Sequence, residues 1–177
     1  MIQIYCGDGK GKTTASAGLA VRAAGHDIPV IFAQFLKDDS SGEIAVLRTL
    51  PQVQVLHGTV FYGFVKNMSK EQREETKACY RNLMQEIEQK ILGLESSMAV
   101  VILDEVIHAC NFGLLEEDFL CGFMENCRKY FSGELEFVLT GRNPSPRLLE
   151  LADYVSEVQK KKHPFDKGIG ARKGIEL

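Results

Sequence analysis

Gly7-Asp8-Gly9-Lys10-Gly11-Lys12-Thr13-Thr14 is the stretch that decides how this chain folds. It follows a short apolar run, Ile2-Gln3-Ile4-Tyr5, and leads directly into alanine-rich, helix-favouring sequence. A strand, a glycine loop and a helix in that order form the setting a phosphate-binding loop requires. Glycines let consecutive backbone N–H groups converge on an anion that side chains would otherwise block. A helix opening near Lys12 adds the positive end of its dipole. Lys12 supplies a point charge for the phosphates, and Thr13 a hydroxyl for bound Mg²⁺. The usual loop reads G-x-x-x-x-G-K-[ST], but the residue five before Gly11 is Cys6. The loop here is therefore G-x-x-x-G-K-T, one residue short. It should still hold a phosphate chain, though by a different phosphate from the usual one.

Working outward, the pattern alternates strand and helix. Thr13 to Ala24 reads as a helix, ended by Gly25 at a C′-like position. Ile28 to Phe35 is a nearly continuous apolar run, as expected of a parallel strand covered on both faces. Glu43 to Leu50 reads as a short helix and Val53 to Leu56 as a third strand. Ser69 opens a long amphipathic helix reaching about Leu92, with Gln72 three residues on as a capping-box partner. Met98 to Leu103 is a buried strand, Glu116 to Phe131 a helix, Leu135 to Leu139 a strand and Pro146 to Ala152 a short helix. Tyr154 to Val158 makes a last strand before a basic tail. Repeated β–α units imply a mostly parallel sheet between helical layers.

The 177 residues fit one domain, 1–177, with a single well-buried core. A net charge of −3 gives no electrostatic reason to expect nucleic acid or a membrane surface as partner. No apolar run approaches the roughly 20 residues needed to span a bilayer. The first strand begins at the N-terminus, leaving no room for a signal peptide, and the expected compartment is the cytoplasm. Cys6, Cys79, Cys110, Cys121 and Cys127 are scattered, with no C-x-x-C pair, and read as reduced thiols. His26, His57, His108 and His163 show no zinc spacing. Lys160-Lys161-Lys162 reads as a solvated surface.

The second chemical signal is Val100-Val101-Ile102-Leu103-Asp104-Glu105, four apolar residues and then two carboxylates, as in a Walker B strand. This puts Asp104 at the carboxyl edge of the sheet beside the phosphate loop, where a Mg²⁺–nucleotide sits. Glu105 is placed to orient a water, to coordinate through water, or to bind a ribose hydroxyl. The competing interpretation is a helix N-terminus that favours acidic residues.

Together these motifs establish a nucleotide-binding fold, and further blocks narrow it. The run from Gly7 to Ala15, with Gly18 and Arg22-Ala23-Ala24-Gly25, closely resembles the ATP:corrinoid adenosyltransferases of the cobalamin pathway. The resemblance continues through Gln34-Phe35-Leu36-Lys37, Gly42-Glu43, Leu103-Asp104-Glu105 and Thr140-Gly141-Arg142. It extends through Glu150-Leu151-Ala152-Asp153 and Lys162-His163-Pro164-Phe165-Asp166-Lys167-Gly168 to Lys173-Gly174-Ile175-Glu176. The short loop is itself typical of that family.

The resemblance implies a three-layer α/β P-loop fold of RecA-like type. It also implies transfer of the 5′-deoxyadenosyl group of ATP to the Co(I) of a reduced corrinoid, with release of triphosphate. The family attacks C5′ of the ribose and holds the triphosphate reversed relative to ordinary P-loop enzymes. By position, Gly7, Asp8, Gly9, Lys10, Gly11, Lys12, Thr13 and Thr14 bind ATP, with Arg22 and Glu105 near the nucleotide. Lys12, Thr13 and Glu105 are the catalytic candidates. Thr13 is expected to touch Mg²⁺ directly and Asp104 through water. On the corrinoid side, the family carries an aromatic loop that helps displace the lower axial ligand of cobalt. The corresponding stretch is His57 to Phe64, where Phe61 matches a family phenylalanine. The expected tryptophan is absent, and Phe64 is the candidate to replace it. His163 and Phe165 fall near the nucleotide end of the site. The family's better-known members also have an N-terminal extension that closes over the site, and with this sequence opening directly on the first strand no such cover is expected. A homodimer is implied, as is an electron donor such as a flavodoxin or a reductase. The two Walker-like motifs fit a P-loop small-molecule kinase equally well, and a non-catalytic nucleotide- or corrinoid-binding protein is the alternative from another class.

Overall fold

The computed structural model describes residues 1–38 and 40–175, apart from the side chain of Phe165. Its strands are β1 (Ile2–Cys6), β2 (Val30–Gln34), β3 (Val53–His57), β4 (Met98–Asp104), β5 (Glu134–Thr140) and β6 (Tyr154–Glu157). The helices are α1 (Lys12–Ala24), α2 (Gly42–Leu47), α3 (Lys70–Leu92), α4 (Val106–Asn111), α5 (Glu117–Tyr130) and α6 (Pro146–Leu151). Short 3₁₀ turns cover Val65–Asn67 and Pro164–Lys167.

The strands form one six-stranded sheet in the order β3-β2-β4-β5-β1-β6, with every pairing parallel. Strand alternation sorts the side chains into two cores. On β4, Ala99, Val101 and Leu103 join the larger core with residues of α3, α4, α5 and α6. Val100 and Ile102 point the other way and meet alanines of α1 and Ile44 and Leu47 of α2. Burial on both faces is why β2 is buried at all five positions and is apolar up to its last residue, Gln34. The result is an α/β/α three-layer P-loop fold. The phosphate-loop strand β1 and the acidic strand β4 are separated by β5, the RecA-like arrangement expected from the resemblance.

The long helix follows its sequence signals. Ser69 caps α3 by accepting from the Gln72 N–H at 3.2 Å, and the Gln72 side chain accepts the Ser69 N–H at 2.9 Å. That capping box is the predicted one. Thr76, Cys79, Tyr80, Leu83, Met84, Ile87 and Ile91 form its buried stripe.

Two readings are corrected. Gly25 does not act as a left-handed C′ residue: its φ is −66°, within the right-handed region. The left-handed step is taken by Asp27 at φ 56°, after His26 and Asp27 tighten the helix end through bonds to Ala23 and Ala24 carbonyls. Asp27 tolerates this conformation better than most non-glycine residues and accepts a 2.9 Å hydrogen bond from Gln52 Nε2. The second correction is α4, a separate helix after Asp104-Glu105 in a stretch to which the sequence pattern assigns no element.

Candidate active site

The loop from Gly7 to Gly11 leaves β1 at the carboxyl edge of the sheet and opens α1. Its shape is tied to the far end of the chain. Gly9 N donates to Val158 O at 2.7 Å, and a Cβ on Gly9 would stand 2.7 Å from that same oxygen. A Cβ on Gly7, whose φ is +100°, would come within 2.4 Å of it. Glycine is required because two backbones run in contact. Asp8 Oδ1 accepts the Lys160 N–H at 2.8 Å, and that bond holds the Asp8 carboxyl below its ordinary pKa.

α1 opens with Gly11 as its N-cap, has no side-chain cap and carries no acidic residue in its first turn. Its positive end therefore faces the cleft with no acidic side chain of its own first turn competing for it. Lys12 is buried and curls back so that Nζ donates to Gly9 O at 2.9 Å. Burial, helped by the charge of Arg142, pulls the Lys12 pKa down; Glu105, Asp104 and Asp8 partly offset this.

Asp104 ends β4 with no exposure and gathers four donors. Thr140 Oγ1 donates to its Oδ1 at 2.7 Å, and Thr13 Oγ1 lies 3.0 Å from the same oxygen. On Oδ2, Lys37 Nζ donates at 2.7 Å and Gln34 Nε2 at 3.3 Å. A buried carboxylate is tolerated because it is fully hydrogen-bonded and charge-balanced. Lys37 Nζ also donates to Thr13 Oγ1 at 3.0 Å.

Thr13 and Asp104 thus bring a hydroxyl and a carboxylate into contact, oxygen donors of the kind Mg²⁺ takes. Among the described residues there is no cluster of three or more His, Cys, Asp or Glu side chains fit for a metal. The pair suits an ion held by few protein ligands and completed by phosphate and water.

Glu105 follows with φ 64°, a left-handed conformation costing a non-glycine residue about 1–2 kcal/mol. It is held by its own N–H, which donates to Thr140 Oγ1 at 2.8 Å, and by its Oε2, which pairs with His108 Nδ1. Burial alone would raise the Glu105 pKa. The hydrogen bond and charge of His108, with Lys37 and Lys12, outweigh it and hold the carboxyl below its ordinary value.

These groups line a cleft of about 940 Å³. Its walls include Asp8 to Thr14, Lys37, Phe61, Glu105, Arg142, His163 and, from the tail, Ile169 to Ala171 with Gly174 and Ile175. The expected phosphate-loop residues other than Gly7, together with Glu105, Phe61 and His163, therefore share one cavity, with Asp104 buried behind Thr13. Gly7 lies just before it and is packed on Val158.

Two expectations are placed differently, and one cannot be placed. Arg22 is exposed in the last turn of α1, about 15 Å along the helix from Lys12 at 1.5 Å per residue, and does not line the cleft. It shares a helix face with Thr14 and Gly18 at four-residue spacing. Phe64 is 77 % exposed, with Lys66 Nζ 5.8 Å from its ring centre, and is likewise outside the cleft lining, so it does not stand beside Phe61 as a second wall. The turn at Gly63, φ 74°, separates the two rings. The Phe165 side chain lies outside the described residues.

Sequence reasoning missed Lys37, Thr140 and His108 as site residues, and Gln34 beneath them. Gln34, Lys37 and Thr140 sit at or just beyond the carboxyl ends of β2 and β5, where open α/β sheets bind ligands, and that positional rule was the available signal. All five cysteines are free, and burial pushes the thiols of Cys110 and Cys127 up to about 12, which makes them inert. No helix of the described residues is long and apolar enough to cross a membrane.

Comparison with known proteins agrees with this geometry. A family model described as ATP:corrinoid adenosyltransferase BtuR/CobO/CobP matches residues 1–177. A corrinoid adenosyltransferase of Pseudomonas aeruginosa is 32% identical over 178 residues, covering 100% of this chain and 83% of that protein. One from Escherichia coli K12 is 32% identical over 180 residues, covering 99% and 85%. Among solved structures, the EssC ATPase 2 and 3 region of Geobacillus thermodenitrificans matches with a TM-score of 0.50 at 17% identity. That match covers 97% of this chain and 34% of the other, and it speaks to the fold alone. With the family model spanning the whole sequence and full-length relatives above 30% identity, this chain belongs to the ATP:corrinoid adenosyltransferase family.

Proposed function

We propose that residues 1–177 form one domain whose cleft binds ATP with Mg²⁺ and presents ribose C5′ to the cobalt of a reduced corrinoid. Family membership over residues 1–177 carries this reading: the chain adenosylates corrinoids with ATP, in cobalamin biosynthesis or salvage. In the step we assign, Co(I) supplies the electron pair of the new Co–C5′ bond and becomes formally Co(III). The C5′–O bond breaks and its electron pair leaves on triphosphate. No proton has to be removed, so the protein's tasks are alignment and stabilisation of the charge growing on the leaving group.

The roles follow from position. Gly7 to Thr14 cradle the phosphates, with Lys12 and the α1 N-terminus meeting the leaving-group charge. Thr13 would hold Mg²⁺ directly and Asp104 through water, and the ion would supply Lewis-acid charge at the triphosphate. Glu105, fixed by Thr140 and His108, faces the ribose end, and Arg22 meets any part of the nucleotide extending along α1 past Gly18. Phe61 and His163 form the part of the wall we assign to the corrinoid. We place the enzyme in the cytoplasm as a homodimer, supplied by an electron donor such as a flavodoxin or a reductase.

The test is an anaerobic mixture of protein, ATP, Mg²⁺ and reduced cobalamin. The expected result is the light-sensitive spectrum of an alkylated corrinoid together with one equivalent of triphosphate. Formation of ADP instead would return the protein to the small-molecule kinases.

A further inference from the structure

We propose that Lys37 is the resident cation of the Thr13–Asp104 pair, and that a divalent metal entering with a nucleoside triphosphate displaces its ammonium onto a phosphate oxygen. The proposal rests on the nucleotide reading above. Lys37 Nζ stands 2.7 Å from Asp104 Oδ2 and 3.0 Å from Thr13 Oγ1, the two groups assigned to the metal. An ammonium and a metal ion cannot share that position, because two like charges in contact beside a buried carboxylate repel strongly.

The placement of Lys37 is built by the backbone. The chain leaving β2 turns at Leu36, whose φ is 57°, a left-handed conformation that a leucine rarely adopts. Leu36 N donates to Tyr80 Oη at 2.8 Å, and Phe35 N donates to Asp104 O at 2.9 Å. Phe35 packs edge-on against Tyr80 with ring centres 5.0 Å apart. These contacts over-determine a strained turn and deliver the next side chain to Asp104. Lys37 also lines the cleft together with Gly9 to Thr14, so phosphates held by that loop give its ammonium another anionic partner.

A metal arriving alone must expel the ammonium from a buried carboxylate. A metal arriving with triphosphate leaves it a new partner. Metal and nucleotide therefore bind with positive coupling, and Lys37 is its source. If the ammonium holds the pair in about nine molecules of ten, removing it strengthens binding of metal alone about tenfold.

Mn²⁺ binding to the whole protein, followed by the spectrum of free Mn²⁺ in electron paramagnetic resonance, tests this without any turnover. Without nucleotide, Lys37→Met should bind Mn²⁺ about tenfold more tightly than wild type, and ATP should raise its Mn²⁺ affinity less than it does for wild type. Lys37→Gln, which keeps a donor for Asp104, should shift in the same direction and serves if the methionine variant folds poorly. Lys37→Arg, which keeps the charge, should stay within about twofold of wild type. Asp104→Asn should lose Mn²⁺ binding in both the wild-type and Lys37→Met backgrounds. Equal Mn²⁺ affinity for wild type, Lys37→Met and Lys37→Gln, with Asp104→Asn still losing the metal, overturns the role of Lys37 alone. Unchanged binding in Asp104→Asn overturns the metal-site assignment and the proposal with it.

Discussion

Replacing Thr140 by valine keeps the shape of the side chain and removes one oxygen. That oxygen is fully buried, donates to Asp104 Oδ1 at 2.7 Å and accepts the Glu105 N–H at 2.8 Å. Its loss deprives a buried carboxylate of a charge-assisted bond, at a cost of about 1.5–3 kcal/mol, and orphans a backbone N–H, at about 1–3 kcal/mol. The two losses share one relaxation and will not sum fully, so we expect about 3 kcal/mol in total. For a domain of this length that is a fall in melting temperature of roughly 6–12 °C. Thr140→Ser restores the hydroxyl and should recover most of the loss. Urea unfolding of the three proteins measures the effect, and adenosyl transfer by the folded variants measures its reach. With Glu105 no longer pinned in its left-handed conformation, Thr140→Val should also lose activity well below its unfolding midpoint. A stability loss under about 1 kcal/mol, or equal losses for valine and serine, would refute the view that this hydroxyl joins the two acidic residues.

Lys12→Ala should abolish adenosyl transfer while leaving the fold intact, because a buried ammonium meeting leaving-group charge is worth several kcal/mol; a loss below about tenfold, or roughly 1.4 kcal/mol, contradicts that role. Phe61→Ala should remain nearly as active as wild type with chemically prepared Co(I) but fail with Co(II) and a weak reductant. Phe64→Ala, removing an exposed ring outside the cleft, should resemble wild type in both assays, and matching losses for the two variants would put both rings on the corrin. The Glu105 carboxyl is held below its ordinary value of 4.5, so its contribution to stability is full above that pH and is lost as pH falls through the lower folded value. The stability difference between wild type and Glu105→Gln should therefore shrink as urea titrations move from pH 6 toward pH 3, and a difference independent of pH would count against the His108 pairing.

The frame of the fold was legible because its signals are local. The central strands β2 and β4 are nearly continuous apolar runs, and the Ser69–Gln72 box and the glycine loop mark helix starts within a few residues. α4 escaped because Val106-Ile107 continues the apolar character of β4, while the break between them is a left-handed glutamate that propensity does not announce. The phosphate half of the site was legible for the same local reason. Lys37 was not, since its position depends on a left-handed leucine held by a tyrosine 44 residues away. The aromatic loop carried composition without direction, so the sequence could not tell that Phe61 turns into the cleft and Phe64 away from it.

The contacts between the phosphate loop and Val158 and Lys160 set an order of events during synthesis. The Gly7–Gly11 segment leaves the ribosome before most of the sheet, yet its shape depends on a carbonyl and an amide made about 150 residues later. β1 likewise waits for Asp153, which bonds the Ile2 backbone in both directions. Because contacts of such long sequence separation form late, nascent chains can collapse around β2, β3 and β4 before the loop has its final form. Chains arrested near residue 150 should therefore carry the glycine motif intact and fail to retain ATP on a filter, whereas arrest well past residue 160, once that stretch has left the ribosome, should restore retention. Equal retention at both lengths would show that the loop shapes itself unaided. On that outcome, a motif translated ahead of most of the sheet is among the last to become competent, and ATP retention would report that synthesis has passed β6.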